Sequence, residues 1–169
     1  MKRLLLMDEK NYDPDLPEIT RDAVRGIVWH KGKMLFIKSS FGEVKLPGGG
    51  VEKGESDIAA LIREVREETG FEVIPDSVMP FGYVEEKRLS RHEPMIWHQF
   101  SRLYFCEVAD VRGKTEFTEN EKRAGMHCVT MTLEEAIENN RRMLNREGVQ
   151  PYNRREFNTL QLIKKHMND

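Results

Sequence analysis

Apolar residues along this chain change their period several times, and each change predicts an element. From Ala23 to Trp29 β-branched and aromatic residues collect in a run that predicts a strand. Lys31-Gly32-Lys33 then predicts a turn, and Met34 to Ile37 the returning strand. The segment Lys45-Leu46-Pro47-Gly48-Gly49-Gly50 breaks every regular period, because a proline and three glycines disfavour helix and favour a tight loop. Between Ser56 and Thr69 the period becomes helical. Ile58, Leu61, Ile62 and Val65 make an apolar face, Ser56 stands where a cap is needed, and Gly70 follows the last turn. Strand-like stretches return at Phe81–Val84 and from Met95 to Val108, the second long enough for two strands or one bent strand. Thr132 and Glu135 form a capping box that opens a helix carrying Leu133, Ala136 and Ile137. A last amphipathic helix is predicted from Arg154 to His166, with Phe157, Leu160 and Ile163 as its buried side. Strands, helix, strands and two helices in that order predict a mixed sheet with helices on its faces, an α+β arrangement. Residues 1–20, interrupted by Pro14 and Pro17, read as an N-terminal arm, and residues 21–169 as the domain.

Composition narrows the classes. A chain of 169 residues with 38% apolar content is one domain with a core of its own. Its 27 basic and 29 acidic residues nearly cancel, leaving a formal charge of −2, which argues against a strongly basic nucleic-acid binder. The leading apolar run, Leu4–Met7, is far too short for a signal peptide or a membrane span. Cys106 and Cys128 make no metal-type cluster, so reduced thiols and a cytoplasmic location are expected.

The helix at Ser56–Thr69 carries the chemistry. At about 100° per residue, Glu64, Glu67 and Glu68 share one stripe together with the small Ala60, flanked by Arg63 and Arg66. Carboxylates so crowded repel one another, and no lysine stands at i+4 to relieve them. A solvated acidic surface is the commoner meaning of such a stripe taken alone. A hard divalent cation is the other, since Mg²⁺ and Mn²⁺ take oxygen ligands and substrate phosphates together. The glycine loop just upstream offers close backbone approach and a carbonyl ligand, although no Gly-Lys-Ser/Thr follows to make it a nucleoside-triphosphatase phosphate loop.

Gly49, five residues, Glu55, seven residues, then Arg63-Glu64-Val65-Arg66-Glu67-Glu68-Thr69-Gly70-Phe71 resembles the signature of the Nudix hydrolases at each of its nine constrained positions, over 23 residues. The lead-in from Leu46 to Glu55 resembles the family's as well. The resemblance implies an α/β/α sandwich with a mixed β-sheet and a loop–helix–loop catalytic motif. It implies metal binding by Glu64, Glu67 and Glu68 with the Gly49 carbonyl as a further ligand, and Mg²⁺ as the cofactor with Mn²⁺ as a substitute. Glu64, Glu67, Glu68 and Arg63 are then the catalytic set, Arg63 orienting the carboxylates through a charge-assisted bond to Glu55. Family members differ in their general base, and for a distal one the acidic stretch Glu116–Glu121 offers Glu119 and Glu121.

The implied activity is attack of metal-activated water on the diphosphate linkage of a nucleoside diphosphate derivative: a nucleoside triphosphate, an oxidised nucleotide, a nucleotide sugar or a dinucleotide. A non-catalytic nucleotide-binding or regulatory Nudix module is the alternative. An isomerase on an isoprenyl diphosphate would need a catalytic cysteine, and Cys106 has no pattern around it. Small-molecule substrates of this type are the expected partners, with no stable nucleic-acid binding and no membrane, and with the N-terminal arm available to a homodimer. The sequence assigns no substrate-binding residues: Phe81, Tyr83 and Trp97 are strand aromatics, His92, His98 and His127 lack ligand spacing, and Arg88, Arg91 and Arg102 are surface-type cations.

Overall fold

A computed structural model describes residues 1–168. Its helix α1 (Asp57–Thr69) begins and ends where the sequence predicts: the Ser56 side chain accepts the Ala59 N–H, and Gly70 closes the helix at φ 77°, a left-handed conformation that glycine adopts freely. Strands β2 (Glu18–His30) and β3 (Lys33–Lys38) form the expected hairpin. The stretch that allowed two strands is one, β7 (Ile96–Arg112), paired over most of its length with β2 in parallel and with β6 (Met79–Leu89) antiparallel. Short strands β4 (Val44–Lys45) and β8 (His127–Met131) pair with β3, and β5 (Phe71–Val73) with β7. These three are too brief to leave a readable period in the sequence.

The first twenty residues correct an expectation. Arg3–Asp8 is a strand, β1, parallel to β6 at the end of the sheet path, because Leu4, Leu5 and Met7 find apolar neighbours there before the prolines intervene. The path runs β1-β6-β7-β2-β3-β4.

Helices cover both faces. On one, α1 packs Ala60, Leu61 and Val65 onto Val24, Val28, Leu35, Tyr104 and Cys106. On the other, α3 (Leu133–Met143) and α4 (Tyr152–Asn168) pack Leu133, Ala136, Leu160 and Ile163 onto Ile27, Met34, Phe36, Leu46 and Leu103. This is the expected sandwich. The apolar face of α1 is rotated from the predicted one: Ile58 is exposed and Ala60 fully buried. The helix approaches β2 closely at Gly26, where a Cβ would already press on Val65 and Leu61.

Strand β4 hangs on the C-terminal helices. The buried Asn140 carboxamide accepts the Val44 N–H at 2.9 Å and donates to the Val44 carbonyl at 2.7 Å, while Glu156 accepts the Leu46 N–H at 3.1 Å. No helix among the described residues is long and apolar enough to cross a membrane.

Candidate active site

Residues Pro47–Val51 run beside β2 as an irregular extra strand. The Gly26 N–H donates to the Pro47 carbonyl at 2.8 Å, Val24 N–H to Gly49 at 2.9 Å, and Val51 N–H to Asp22 at 3.0 Å. Two glycines are required by what surrounds them. Gly48 has φ 139°, and a Cβ there would run into the Val24 carbonyl oxygen; a Cβ on Gly49 would land on the Glu64 carboxylate. The loop is therefore held between β2 and α1, with Glu64 pressed against its backbone.

Arg63 organises the outer side of this loop. Its Nε and Nη2 take both oxygens of Glu55 at 2.9 Å, in the bidentate geometry that a planar guanidinium favours. Nη2 also donates to the Gly50 carbonyl, at 3.1 Å, and Nη1 reaches Glu64 at 2.7 Å and Glu67 at 3.5 Å. The bonds from Arg63 hold the Glu55 carboxyl below the usual carboxylate range, and those to Glu55 raise the guanidinium pKa. One cation thus positions three carboxylates.

Glu68 lies elsewhere. Its side chain turns inward under the loop, where it accepts from Lys45 Nζ at 2.6 Å and from the Gly48 N–H at 2.7 Å. Burial pushes its pKa up, against the pull of Lys45 and of the Gly48 amide. The predicted single stripe is split: Glu64 and Glu67 face outward with Arg63, Glu68 faces the interior, and the lysine missing from the helix comes from β4. Ala60, placed with the carboxylates on that stripe, is core instead. Among the described residues no three Asp, Glu, His or Cys side chains converge on one point in this arrangement. The donor set itself suits a hard divalent cation, for Glu64 offers carboxylate oxygens beside the backbone of Gly49 and Glu67 shares Arg63 with it. The Gly49 carbonyl keeps one lone pair beyond its bond from Val24.

The distal candidates separate. Glu119, on α2 (Glu119–Arg123), is exposed and ion-paired with Lys122 at 2.8 Å. Glu121 is the third helical residue of the same helix, its Oε2 accepting from Thr118, and it lines a cavity of about 230 Å³ that Gly48 and Gly49 close on one side. Among the strand aromatics only Trp97 lines this cavity, whereas Phe81 packs on Phe105 and His166, and Tyr83 on Phe100. Arg88 lines it too, bonded to Glu86, while Arg102 ties Asp22 to Asp57 and Arg91 borders a neighbouring cavity. His98 bridges Glu18 and Glu85 at 2.6 and 2.9 Å, His127 contacts the Gly125 carbonyl, and His92 lines the cavity beside Arg91. Cys106 sits in the core on the α1 side, burial alone pushing its thiol up to about 12.

Sequence reasoning missed the polar layer beneath the cavity. Arg25, Glu86, Gln99 and Arg155 are buried there, with Arg155 donating to Glu86 at 2.8 Å and to Glu156 at 3.3 Å. A signal was present in Arg25, a charge in the middle of the apolar run Ala23–Trp29 and thus on a strand buried on both faces.

Comparison with known proteins follows the same lines. A family model described as NUDIX domain matches residues 19–150. A Bacillus subtilis (strain 168) protein named "Putative ADP-ribose pyrophosphatase YjhB" is 28% identical over 98 residues, 57% of this chain and 46% of that protein. The chain thus spans a little under half the length of the curated relative it matches. Among solved structures, a NUDIX hydrolase from Nitrosomonas europaea superposes with a TM-score of 0.59 at 18% identity, over 89% of this chain and 90% of the other. A structure described as an ADP compounds hydrolase gives 0.57 at 18% identity, over 88% and 73%. Identities this low speak for the fold alone.

Proposed function

This chain belongs to the NUDIX domain family, and from that premise we propose that it is a Mg²⁺-dependent pyrophosphohydrolase cleaving the diphosphate linkage of a nucleoside diphosphate derivative. The observation that supports this reading most is the Arg63 hub, which holds Glu55, Glu64 and Glu67 beside a loop whose Gly49 has no side chain to displace the Glu64 carboxylate. Three carboxylates with two guanidiniums, Arg63 and the more distant Arg66 at 3.9 Å from Glu67, keep surplus negative charge at a defined place, and a divalent cation is its complement.

The residues proposed to hold the cation are Glu64 and Glu67, with the Gly49 carbonyl as a further oxygen, and Glu68 as a third carboxylate that must exchange its bond from Lys45 for the metal. When bound, it would neutralise charge on the diphosphate and lower the pKa of water. The chain's own part is positioning. Arg63 fixes the rotamers of Glu64 and Glu67, and Glu55 fixes Arg63. Glu121, which faces the cavity, is the proposed proton acceptor.

Phosphate release after a phosphatase coupling step tests the reading across nucleoside triphosphates, nucleotide sugars, dinucleotides and ADP-ribose, with and without Mg²⁺. ADP-ribose joins the panel because the B. subtilis relative is named for it. Turnover that requires Mg²⁺ is expected, and Glu67→Gln lowers kcat by at least about a hundredfold, the scale of one lost preorganised electrostatic element. Glu67→Gln activity within about threefold of the parent overturns the metal assignment. Binding of these compounds with no turnover moves the chain to the alternative, a nucleotide-binding module.

A further inference from the structure

The inner side of the glycine loop carries the opposite charge imbalance from the outer. Arg21 and Arg25 project from the same face of β2 into the 230 Å³ cavity, beside Gly48 and Gly49. Arg25 is only 5% exposed, yet among the described residues no carboxylate forms a salt bridge with it. Its one contact is from Nη1 to the Gly48 carbonyl, and its Nε has no partner among the described residues. The carboxylates nearest in charge are all engaged elsewhere: Glu156 with Leu46 and Arg155, Glu68 with Lys45 and Gly48, Glu64 with Arg63. Burial pulls the Arg25 pKa down, and the attraction of Glu156, Glu68 and Glu64 offsets that only in part, since none of them bonds to the guanidinium.

Arg21, half-buried, likewise makes no salt bridge among the described residues. Its guanidinium lies 5.7 Å from the centre of the Trp97 ring, and that of Arg88 lies 5.7 Å from the same ring. The indole is thus engaged in holding cations in place rather than free to stack on a nucleobase. The cavity is below the roughly 300 Å³ at which pockets begin to enclose a whole small molecule, so it receives part of a ligand. Its lining asks for an anion.

We infer that Arg21 and Arg25 form a second phosphate subsite, filled by a phosphate group next to the scissile diphosphate, so that the substrate class is a nucleoside triphosphate rather than a nucleotide ending in a neutral sugar. This rests on the pyrophosphohydrolase reading for its placement of the diphosphate. Both guanidiniums are preorganised, Arg25 by the Gly48 carbonyl and Arg21 by Trp97, and the ligand completes the ion pair that the fold leaves open.

Calorimetric titration of the full chain with inorganic tripolyphosphate, and separately with ADP-ribose, in Mg²⁺, gives a readout independent of turnover. Tripolyphosphate is expected to bind the parent at least about tenfold more tightly than ADP-ribose. Arg21→Gln is expected to weaken tripolyphosphate at least about tenfold while leaving ADP-ribose within about threefold, as befits loss of one charge-assisted contact. Arg25→Met is expected to do the same, and Arg21→Gln, at a half-exposed position, decides the matter if the Arg25 variant does not fold. Equal losses for both ligands, or no loss for either, overturn the subsite and leave the hydrolase reading standing. Absence of turnover on every compound overturns the hydrolase reading, while the titrations still decide the subsite.

Discussion

The two sides of the Pro47–Val51 loop are built from the same kinds of residue and do opposite things with them. Outside, Arg63 is the central cation among Glu55, Glu64 and Glu67, partly exposed, with every guanidinium nitrogen bonded and Arg66 only at the edge of Glu67. Inside, Arg25 and Arg21 are cations without carboxylates, one of them buried, and the carboxylates within reach are already spoken for. Lys45 and Glu68 lie between the two and cancel. A backbone stretch only a few residues wide therefore separates a place that wants a positive ligand from a place that wants a negative one. The lesson is that surplus charge, more than charge itself, marks where a ligand goes: paired ions are structure, and unpaired ones are invitations.

Four experiments would break or sharpen that contrast. The neutral divide is the most costly part to disturb. Lys45→Met leaves Glu68 buried and unpaired and is expected to destabilise the fold by about 3–5 kcal/mol in urea unfolding, whereas Lys45→Met with Glu68→Leu regains most of that loss. If the single variant unfolds at the parent's midpoint, Lys45 is not what neutralises Glu68. Next in size, Glu121→Gln is expected to lower kcat by about a hundredfold, while Glu119→Gln, on the exposed side of the same helix, stays within about threefold; equal effects would remove the cavity's claim to the proton acceptor. Gly49→Ala pushes a methyl group against Glu64 and is expected to reduce kcat about tenfold through misplacement of one carboxylate, with little change in melting temperature. The smallest effect belongs to Ser56→Ala, which removes the cap of α1 and is expected to cost about 1 kcal/mol of stability with kcat within twofold, since Arg63 stands two turns away from the frayed end.

The outer side was legible in the sequence and the inner side was not. Glu55, Arg63, Glu64 and Glu67 lie within a short stretch whose helical geometry fixes their neighbours, so a local pattern suffices. Glu68 shares that stretch, but its partner Lys45 is 23 residues away on another element, and only the packing of α1 on the sheet decides that it points inward. The same packing decided between Ile58 and Ala60: hydrophobicity alone favours isoleucine, while the way α1 lies on the sheet buries Ala60 and leaves Ile58 exposed. Strand β1 escaped notice because a parallel partner some eighty residues later leaves no mark nearby. Arg25 was visible as an oddity in an apolar run, yet its meaning needs the positions of Glu156, Glu68 and Glu64, which no local rule supplies.

Asn140 gives the molecule an order of assembly. Its carboxamide stands in for a peptide unit beside Val44, and Glu156 does the same for Leu46, so the stretch leading into the glycine loop borrows its hydrogen bonds from residues about a hundred positions later. On a ribosome, where synthesis proceeds from the N-terminus at about 5–20 residues per second, that stretch emerges seconds before its partners exist. The hydrogen bonds of that stretch therefore wait until the chain has been made as far as Glu156.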